Sequence, residues 1–217
     1  MTRSAKLAGV FGGIAAVAAL VAYYIVSYLI VVPPSVAAAG QAPRASVTLQ
    51  TVASMGYGPH PDWVSYFVED ARGKWVHSTV LTVPANSLVK VTVLQYDTAT
   101  GLRNPYWGGP RGIVGEMVLD GKPTPTLDPD LASHTFAVPE LGLSVPLAGV
   151  ADDAKNQCGL APCTLAEAHR TITFVFRTGK RGTYRWQCFV PCAFGTILGF
   201  GGPMQSIGYM DGLLHVV

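Results

Sequence analysis

The sequence has 217 residues, of which 24 are glycine and 16 are proline, and only 13% of its residues are charged. This length allows one membrane anchor and one domain of ordinary size. A composition rich in turn residues and poor in charge is typical of β-sandwiches with long loops. The formal net charge of +2, without any block of like charges, gives no support for nucleic-acid binding.

The first feature along the chain is an uninterrupted apolar segment, Leu7–Val32. Its 26 residues exceed the roughly 20 that an α-helix needs to cross a bilayer core. Arg3 and Lys6 precede it, and the next charge is Arg44. The positive-inside rule therefore predicts a single-pass protein of the cell membrane, with a cytoplasmic N-terminus and an extracytoplasmic domain. The alternative is a cleaved signal peptide, because the small residues Val36–Ala39 offer a cleavage site, although a signal h-region usually has only about 7–15 residues.

These features divide the chain into three parts. Residues 1–32 form the N-terminus and the anchor, residues 33–44 form a linker rich in alanine, glycine and proline, and residues 45–217 form one folded domain. The linker composition is of the kind found at domain boundaries.

Short β-rich runs separated by turn residues occupy the third part. Alternation of apolar and polar residues predicts about eight strands. They are Ala45–Ala53, Trp63–Val68, Lys74–Val83, Leu88–Tyr96, Ser133–Val138, Thr171–Arg177, Thr183–Cys188 and Gly212–Val217. Pro139–Pro146 is predicted to be a loop, and Asp97–Asp130 a longer excursion that either meets a partner or is a decoration. Because no helical pattern of useful length follows the anchor, the predicted fold class is all-β, a sandwich or a barrel.

The four cysteines form two close pairs with different surroundings. Cys158 and Cys163 enclose a small loop that predicts a disulfide, which an extracytoplasmic location permits. Cys188 and Cys192 instead lie where a strand meets a long glycine-rich loop, and Met210 lies where that loop enters the last strand. Sulfur ligands at both mouths of a loop suit copper, while a second disulfide is the alternative for Cys188 and Cys192.

Several segments together resemble a known family. Leu81–Val91 resembles an early strand of cupredoxins, and Gly182–Cys188 and Met210–Val216 are similar to their last two strands. Ser133–Leu143, with the sequence SHTFAVPELGL, resembles the first copper-ligand segment of cytochrome c oxidase subunit II. The resemblance covers roughly residues 80–217 and implies a cupredoxin-like Greek-key β-sandwich behind one transmembrane helix.

The same resemblance implies a set of copper ligands. Subunit II has two bridging thiolates at Cys-x3-Cys, then a histidine four residues on and a methionine three further on. In this chain those last two positions are Thr196 and Gly199, and no histidine lies between Cys192 and Met210. The ligands that the resemblance implies are His134, Cys188, Cys192 and Met210, with Met204 as a further thioether. One imidazole with two thiolates and thioethers is a soft donor set, which suits Cu(I) better than Cu(II).

The other polar residues give no sign of independent catalysis. No zinc-protease motif, nucleophile elbow or phosphate-binding loop is present. Asp62, Asp97, Glu116 and Glu140 are isolated in the sequence and form no acid–base pair. The remaining histidines fit surface or strand positions; His60 and His77 in particular are predicted on the surface. At most, the protein is expected to be a redox subunit of an oxidoreductase complex.

Two functions from different classes follow. The first is a membrane-anchored, extracytoplasmic copper protein that transfers electrons or handles copper for a membrane oxidase or respiratory complex. Its partners would be the membrane and the other subunits of that complex or a redox partner. The second is a metal-free interaction subunit that contacts such a complex through Asp97–Asp130 and Ala193–Tyr209. The absence of a second subunit II-type apolar span argues against a true oxidase subunit II.

Overall fold

A computed structural model describes residues 3–29, 32–101, 104–192 and 202–217. The chain forms two compact units, Met1–Val32 and Pro33–Val217. The boundary between the units coincides with the predicted end of the apolar segment.

The N-terminal unit is helical. The helix α1 spans Arg3–Tyr24, and a π-helical turn continues it over Ile25–Leu29. Within it, Lys6–Ser27 has 22 residues and a mean hydropathy of 2.1, so it is long and apolar enough to span a membrane, as a signal sequence can also be. The predicted apolar helix is therefore confirmed.

The second unit is built from two β-sheets that enclose one main core. In the order of hydrogen-bonded neighbours, the first sheet consists of β1 (Val36–Ala37), β6 (Val80–Val83), β14 (Asp211–Val216), β13 (Gly182–Gln187), β10 (Ala132–Val138) and β11 (Leu143–Ala148). The second sheet consists of β5 (Trp75–His77), β4 (Ser65–Glu69), β3 (Arg44–Val52), β7 (Leu88–Gln95), β12 (Arg170–Arg177), β8 (Val118–Leu119) and β9 (Lys122–Pro123), and β2 (Ala39–Gln41) pairs with β3. The predicted all-β sandwich behind one apolar helix is confirmed.

Strict alternation explains why the second sheet forms where the sequence predicts it. On β7, Val89, Val91 and Val93 are all buried and join the main core, while the residues between them face outward. The neighbouring β12 repeats this pattern, and its Phe174 is directly opposite Val91. Both strands thus direct one apolar face between the sheets.

Aromatic side chains fill the middle of the core. Trp186 stacks on Phe136 with ring centroids 4.7 Å apart, and Tyr66 meets it edge-on at 5.0 Å. All three rings are fully buried. The indole N–H of Trp186 donates to the Thr79 carbonyl at 2.8 Å, which satisfies its polar atom inside the core.

The predicted linker over residues 33–44 differs from the structure. Val36 is buried and pairs with Leu81 of β6, while β2 folds back along the start of β3. These segments have only two and three residues, too few for alternation to reveal them. They belong to the sandwich, which begins at Pro33.

The predicted loop Pro139–Pro146 is also wrong in part. Only its beginning turns, and Leu143–Ala148 is the strand β11, paired along its length with β10. Pro146 lies inside this strand opposite Thr135. Proline is tolerated there because β11 is the edge of its sheet, where a missing backbone donor can face away from the ladder.

The predicted strand Lys74–Val83 is two strands in different sheets. The chain leaves β5 after His77 and enters β6 at Val80. The buried residues Ser78 and Thr79 make the crossing, and Ser78 Oγ satisfies the backbone by accepting from the Val80 N–H at 3.0 Å. Hydroxyl residues of this kind can stabilise a bend that propensity alone does not predict.

Gly212 is the position where the close packing of β14 leaves no room for a side chain. A Cβ there would lie 2.6 Å from the indole nitrogen of Trp186 and still closer to the Thr79 carbonyl oxygen. We expect Gly212→Ala to lower the free energy of unfolding by about 2–3 kcal/mol, because overpacking displaces the buried Trp186. Urea unfolding followed by tryptophan fluorescence measures this change.

Gly182, on the paired strand β13, provides the matched control. A Cβ there would meet only ring atoms of Tyr184 at ordinary contact distance, 3.7 Å and beyond. Gly182→Ala should therefore change stability little. Equal effects of the two substitutions would contradict the packing described for Gly212.

Candidate metal centre

A buried site lies at the end of the sandwich where several strands begin or end together. His134 is near the start of β10, and Cys188 directly follows β13. Cys192 comes four residues later, and Asp97 follows the end of β7. The two sheets therefore each deliver part of this site.

Three of the predicted ligands converge. Cys188 Sγ lies 3.8 Å from His134 Nδ1 and 3.5 Å from Cys192 Sγ. One ligand atom from each of the three residues lies within 4.8 Å of the others. His134 and Cys188 are fully buried and Cys192 is partly buried. The geometry is that of a small cluster able to hold one metal ion.

The cysteine pairs differ as predicted. Cys158 and Cys163 form a disulfide, with their Cα atoms 5.7 Å apart. Cys188 and Cys192 are free thiols. Cys158, Cys163 and Glu167 also lie close enough together to hold a metal ion. The two sulfurs are bonded to each other, however, and are therefore not available as metal ligands.

The two predicted methionine ligands lie beside this cluster in different ways. Met210 is fully buried, and its carbonyl accepts the Cys188 N–H at 2.9 Å. Its own N–H donates to the Pro203 carbonyl at 3.0 Å. Met204 is partly buried against the main core, in a short 3-10 turn. The backbone contact places Met210 next to Cys188, and ligation by either thioether stays a prediction.

Asp97 is a site residue that the sequence analysis missed. Its Oδ2 lies 2.9 Å from His134 Nε2, so the imidazole is held between a carboxylate on one side and a thiol on the other. A carboxylate on the distal ring nitrogen is the usual partner that fixes the orientation of a metal-binding histidine. The one feature of the sequence that could have indicated this role is the position of Asp97 directly after the predicted strand Leu88–Tyr96. Residues at the ends of strands often contribute to sites.

Backbone groups also face the Cys188 sulfur. The N–H of Thr135 donates to it at 3.4 Å, and the hydroxyl of Thr135 accepts the Phe189 N–H at 2.8 Å. These bonds hold the chain after β13 against β10. Donors directed at sulfur favour the thiolate, which is the form that binds metals.

Contacts among His134, Cys188 and Cys192 shift the pKa of each of these side chains. Burial alone would lower the pKa of His134, but its hydrogen bonds to Asp97 and Cys188 outweigh burial and raise that pKa to about 9. Burial alone would raise the pKa of Cys188, but hydrogen bonds from Cys192 and His134 bring it well below its ordinary value. The hydrogen bond with Cys188, followed by burial, raises the pKa of Cys192. One thiolate beside an imidazolium is thus favoured in the absence of a metal.

The interior next to the site is unusually polar. Thr51 and Gln95 are fully buried neighbours on β3 and β7, and the side-chain amide of Gln95 has no hydrogen-bond partner among the described residues. Alternation along β7 directs Gln95 to the same inner face as Val93. Tyr66, opposite Thr51, donates its hydroxyl to the Thr135 carbonyl at 3.2 Å. Orphaned buried polar groups of this kind call for a bound polar species.

These residues fit copper. Two thiolates and one imidazole are soft donors that select Cu(I), and the carboxylate behind the imidazole supplies the usual outer support. Thr196 and Gly199, which occupy the positions of the second histidine and the methionine in the subunit II pattern, lie outside the described residues. Among the described residues, the predicted ligands whose donor atoms come close together are His134, Cys188 and Cys192.

The surface prediction for His77 is wrong. Its Nε2 lies 2.8 Å from Ser65 Oγ, and the same hydroxyl donates to the Gly208 carbonyl at 3.1 Å. The ring packs edge-on against Tyr209 with centroids 5.2 Å apart. His77 thus packs against the segment Gly208–Tyr209, which leads into Met210. The sequence could not predict this role, because these residues are far from His77 along the chain.

No protein-family model matches this sequence, and no curated protein matches it. Among solved structures, the chain is similar to the Cu(I)-bound metal-binding domain of the Cu(I)-exporting P-type ATPase CopA from Streptococcus pneumoniae D39, with a TM-score of 0.38, 8% identity and coverage of 86% of this chain and 99% of that one. It is also similar to rusticyanin from Thiobacillus ferrooxidans, with a TM-score of 0.34, 18% identity and coverage of 84% and 82%. Structural similarity with TM-scores this low does not establish a shared function, so the function has to be inferred from the side chains of the site.

The bond between Asp97 and His134 can be tested directly. We expect Asp97→Asn to lower the pKa of His134 and to destabilise the fold by about 1–3 kcal/mol, because a charge-assisted bond to a buried ring is lost. NMR titration of the His134 ring and urea unfolding of the metal-free protein measure the two effects.

Asp120 is a suitable control for that substitution. Its carboxylate pairs with Arg170 at 2.7 Å, but both side chains are substantially exposed, at 43% and 32%. Asp120→Asn should cost less than about 1 kcal/mol and leave the His134 titration unchanged. An unaltered His134 pKa in the Asp97 variant would contradict the hydrogen bond.

The environment of His77 generates a pH dependence. Burial lowers the pKa of His77. Hydrogen bonding to the backbone of Gly208 raises this pKa, but it offsets the effect of burial only in part. Because the folded-state pKa lies below the unfolded value of about 6.5, the contribution of His77 is fully present above that pH. It is lost as the pH falls toward the folded pKa. We expect the difference in unfolding free energy between the wild type and His77→Gln to shrink over this range; a constant difference would contradict the shift.

Proposed function

We propose that this protein is a membrane-anchored, extracytoplasmic, cupredoxin-like copper protein that carries copper or electrons for a membrane oxidase or respiratory complex. The observation that carries the proposal is the buried triad of His134, Cys188 and Cys192, in which two free thiols and one imidazole converge. A triad of free, buried, soft donors has few uses other than a metal.

His134, Cys188 and Cys192 would hold copper, which when bound supplies a reversible one-electron couple or a transferable Cu(I) ion. Asp97 keeps the Nε2 of His134 engaged, so that Nδ1 faces the sulfurs. The Thr135 N–H supports the thiolate of Cys188. Cys192 is the least buried of the three residues, so exchange of a metal with a partner would take place from its side of the site.

The anchor part of the proposal rests on the N-terminal helix. Its 22-residue span is sufficient for a bilayer core, and two cations, Arg3 and Lys6, lie at the N-terminal end of the span. The Cys158–Cys163 disulfide is consistent with an oxidising compartment outside the cytoplasm. Together they support an N-terminus in the cytoplasm and a sandwich on the other side of the membrane.

The resemblance to cytochrome c oxidase subunit II supports the type of complex. His134 in its Ser-His-Thr-Phe segment and the Cys-x3-Cys spacing match that family's pattern. No histidine follows Cys192 before Met210, so the second imidazole of the pattern is absent. A softer, imidazole-poor set favours Cu(I) handling over rapid electron transfer.

The test is a copper titration of the full chain, expressed without copper and purified under reducing conditions. We expect one or two copper ions per chain and a loss of at least about tenfold in affinity in Cys192→Ser, because one of the soft ligands is removed. The copper-loaded protein is then treated with a chemical oxidant. A thiolate charge-transfer band after oxidation would identify an electron carrier, and copper that stays silent in visible and electron-spin spectra would identify a Cu(I) carrier.

A matched control removes two sulfurs elsewhere. Cys158→Ser with Cys163→Ser deletes the disulfide, whose sulfurs are not part of the triad, and should leave the copper content unchanged. If the wild type binds no copper while its Cys188 and Cys192 remain reduced, the copper proposal fails. The protein is then the metal-free interaction subunit instead.

A further inference from the structure

An aromatic cluster beside the Met210 segment has no role in the copper site. It consists of Tyr57, His60, Trp63 and Tyr209, and we refer to it as the aromatic platform. His60 stacks on Trp63 with ring centroids 3.8 Å apart, and Tyr209 packs edge-on against Trp63 at 4.7 Å. Tyr57 is exposed on the same loop, between the residues Gly56 and Pro61 that a backbone hydrogen bond joins. Two separate segments of the chain thus build one aromatic surface.

The loop that presents the platform is held in a defined shape. The Met55 N–H donates to the Trp63 carbonyl at 3.1 Å, and the Gly56 N–H donates to the Pro61 carbonyl at 2.9 Å. Leu160, from the disulfide-closed loop, packs beside Gly56 and is 60% exposed. The platform is therefore a preformed surface that an exposed aliphatic side chain extends.

The chemistry of this surface is amphipathic. Tyr57 is 44% exposed, His60 is exposed, and Trp63 and Tyr209 are partly exposed. Between Met55 and Trp63 the one charged residue is Asp62. Tyrosine and tryptophan combine an apolar ring with a polar tip, and they concentrate where hydrocarbon meets water at the surface of a bilayer.

The chain enters the sandwich next to the platform. Pro33, the first residue of the second unit, lies 3.5 Å from the point where a Cβ of Gly208 would be. Its neighbour Pro34 accepts the Ser78 hydroxyl at 2.7 Å. Gly208 immediately precedes Tyr209. The entry point is thus fixed at the platform end of the sandwich.

The covalent tether to the apolar segment is short. The candidate span ends at Ser27, six residues before Pro33. A fully extended chain of that length reaches roughly 20 Å. If Lys6–Ser27 spans the membrane, chain connectivity alone keeps the entry point within about that distance of the hydrocarbon boundary.

From these observations we propose that the aromatic platform binds the headgroup region of the phospholipid bilayer. This inference rests on the membrane-anchored function proposed above and deepens it, because it assigns the lipid-facing surface of the domain. None of the four platform residues is a lysine or an arginine, so the recognised chemistry is the amphipathic interface itself and zwitterionic lipid is sufficient.

The test uses the full-length chain in phosphatidylcholine vesicles whose acyl chains carry bromine near the headgroup. The chain has four tryptophans, and bromine quenches those that enter the interface. We expect Trp63→Phe to remove roughly half or more of the quenched emission, because Trp63 is the tryptophan of the platform. Trp107→Phe is the control, since Trp107 is also partly buried but packs edge-on against Tyr106.

A second variant shows whether a loss of quenching in Trp63→Phe is due to the missing indole or to a loss of structure. Tyr57→Trp in the Trp63→Phe background returns an indole to the exposed part of the platform and should restore the quenching. Equal quenching of the wild type, Trp63→Phe and the restored variant would overturn the inference and point to a protein partner for this surface.

Two outcomes of the vesicle experiment distinguish a failure of this inference from a failure of the proposed function on which it rests. Failure of the wild-type chain to float with vesicles would overturn the anchor and the platform together. Flotation without quenching of Trp63 would overturn the platform alone. The experiment is run on metal-free protein, so failure of the chain to bind copper would change neither result.

Discussion

The imidazole of His134 joins the two sheets at the end where the candidate copper site lies. His134 and Cys188 belong to the first sheet, while Asp97 follows β7 of the second. A fully buried ring between a carboxylate and a thiol is stable only if both of its nitrogens are engaged. This link holds Cys188 beside His134, and the contact of Cys188 with Cys192 then brings the third side chain of the triad into the site.

A second set of contacts holds the segment that returns to the site. The hydroxyl of Thr79 donates to the Asp211 carbonyl at 2.6 Å and accepts the Gly208 N–H at 2.6 Å, while its carbonyl accepts from the indole of Trp186. Asp211 is itself buried and paired with Arg185. The crossing between the sheets at Thr79 therefore positions Met210 from one side, and Ser65 with His77 positions it from the other. The site is built on paired strands and on hydrogen bonds that cross between them.

The sequence predicts those parts of the structure that depend on local pattern. Alternation locates β7 and β12 to within a residue, and the small loop between Cys158 and Cys163 predicts their disulfide. Alternation cannot find β1 and β2, because they are too short, or β11, because Pro146 disguises an edge strand. The pairing of Asp97 with His134 spans 37 positions and is decided by how the sheets pack. Long-range contacts of this kind carry no local signature in a single sequence.

The position of β14 has a consequence for the order in which this protein matures. This last strand, Asp211–Val216, lies inside its sheet between β6 and β13, and is parallel to the first and antiparallel to the second. Neither neighbour can complete its ladder until Asp211–Val216 has been synthesised and has inserted between them. Cys188 gains its backbone bond to Met210 only at that moment. Assembly of the buried triad therefore depends on the prior insertion of β14, and a sandwich without this strand would expose the unpaired edges of β6 and β13.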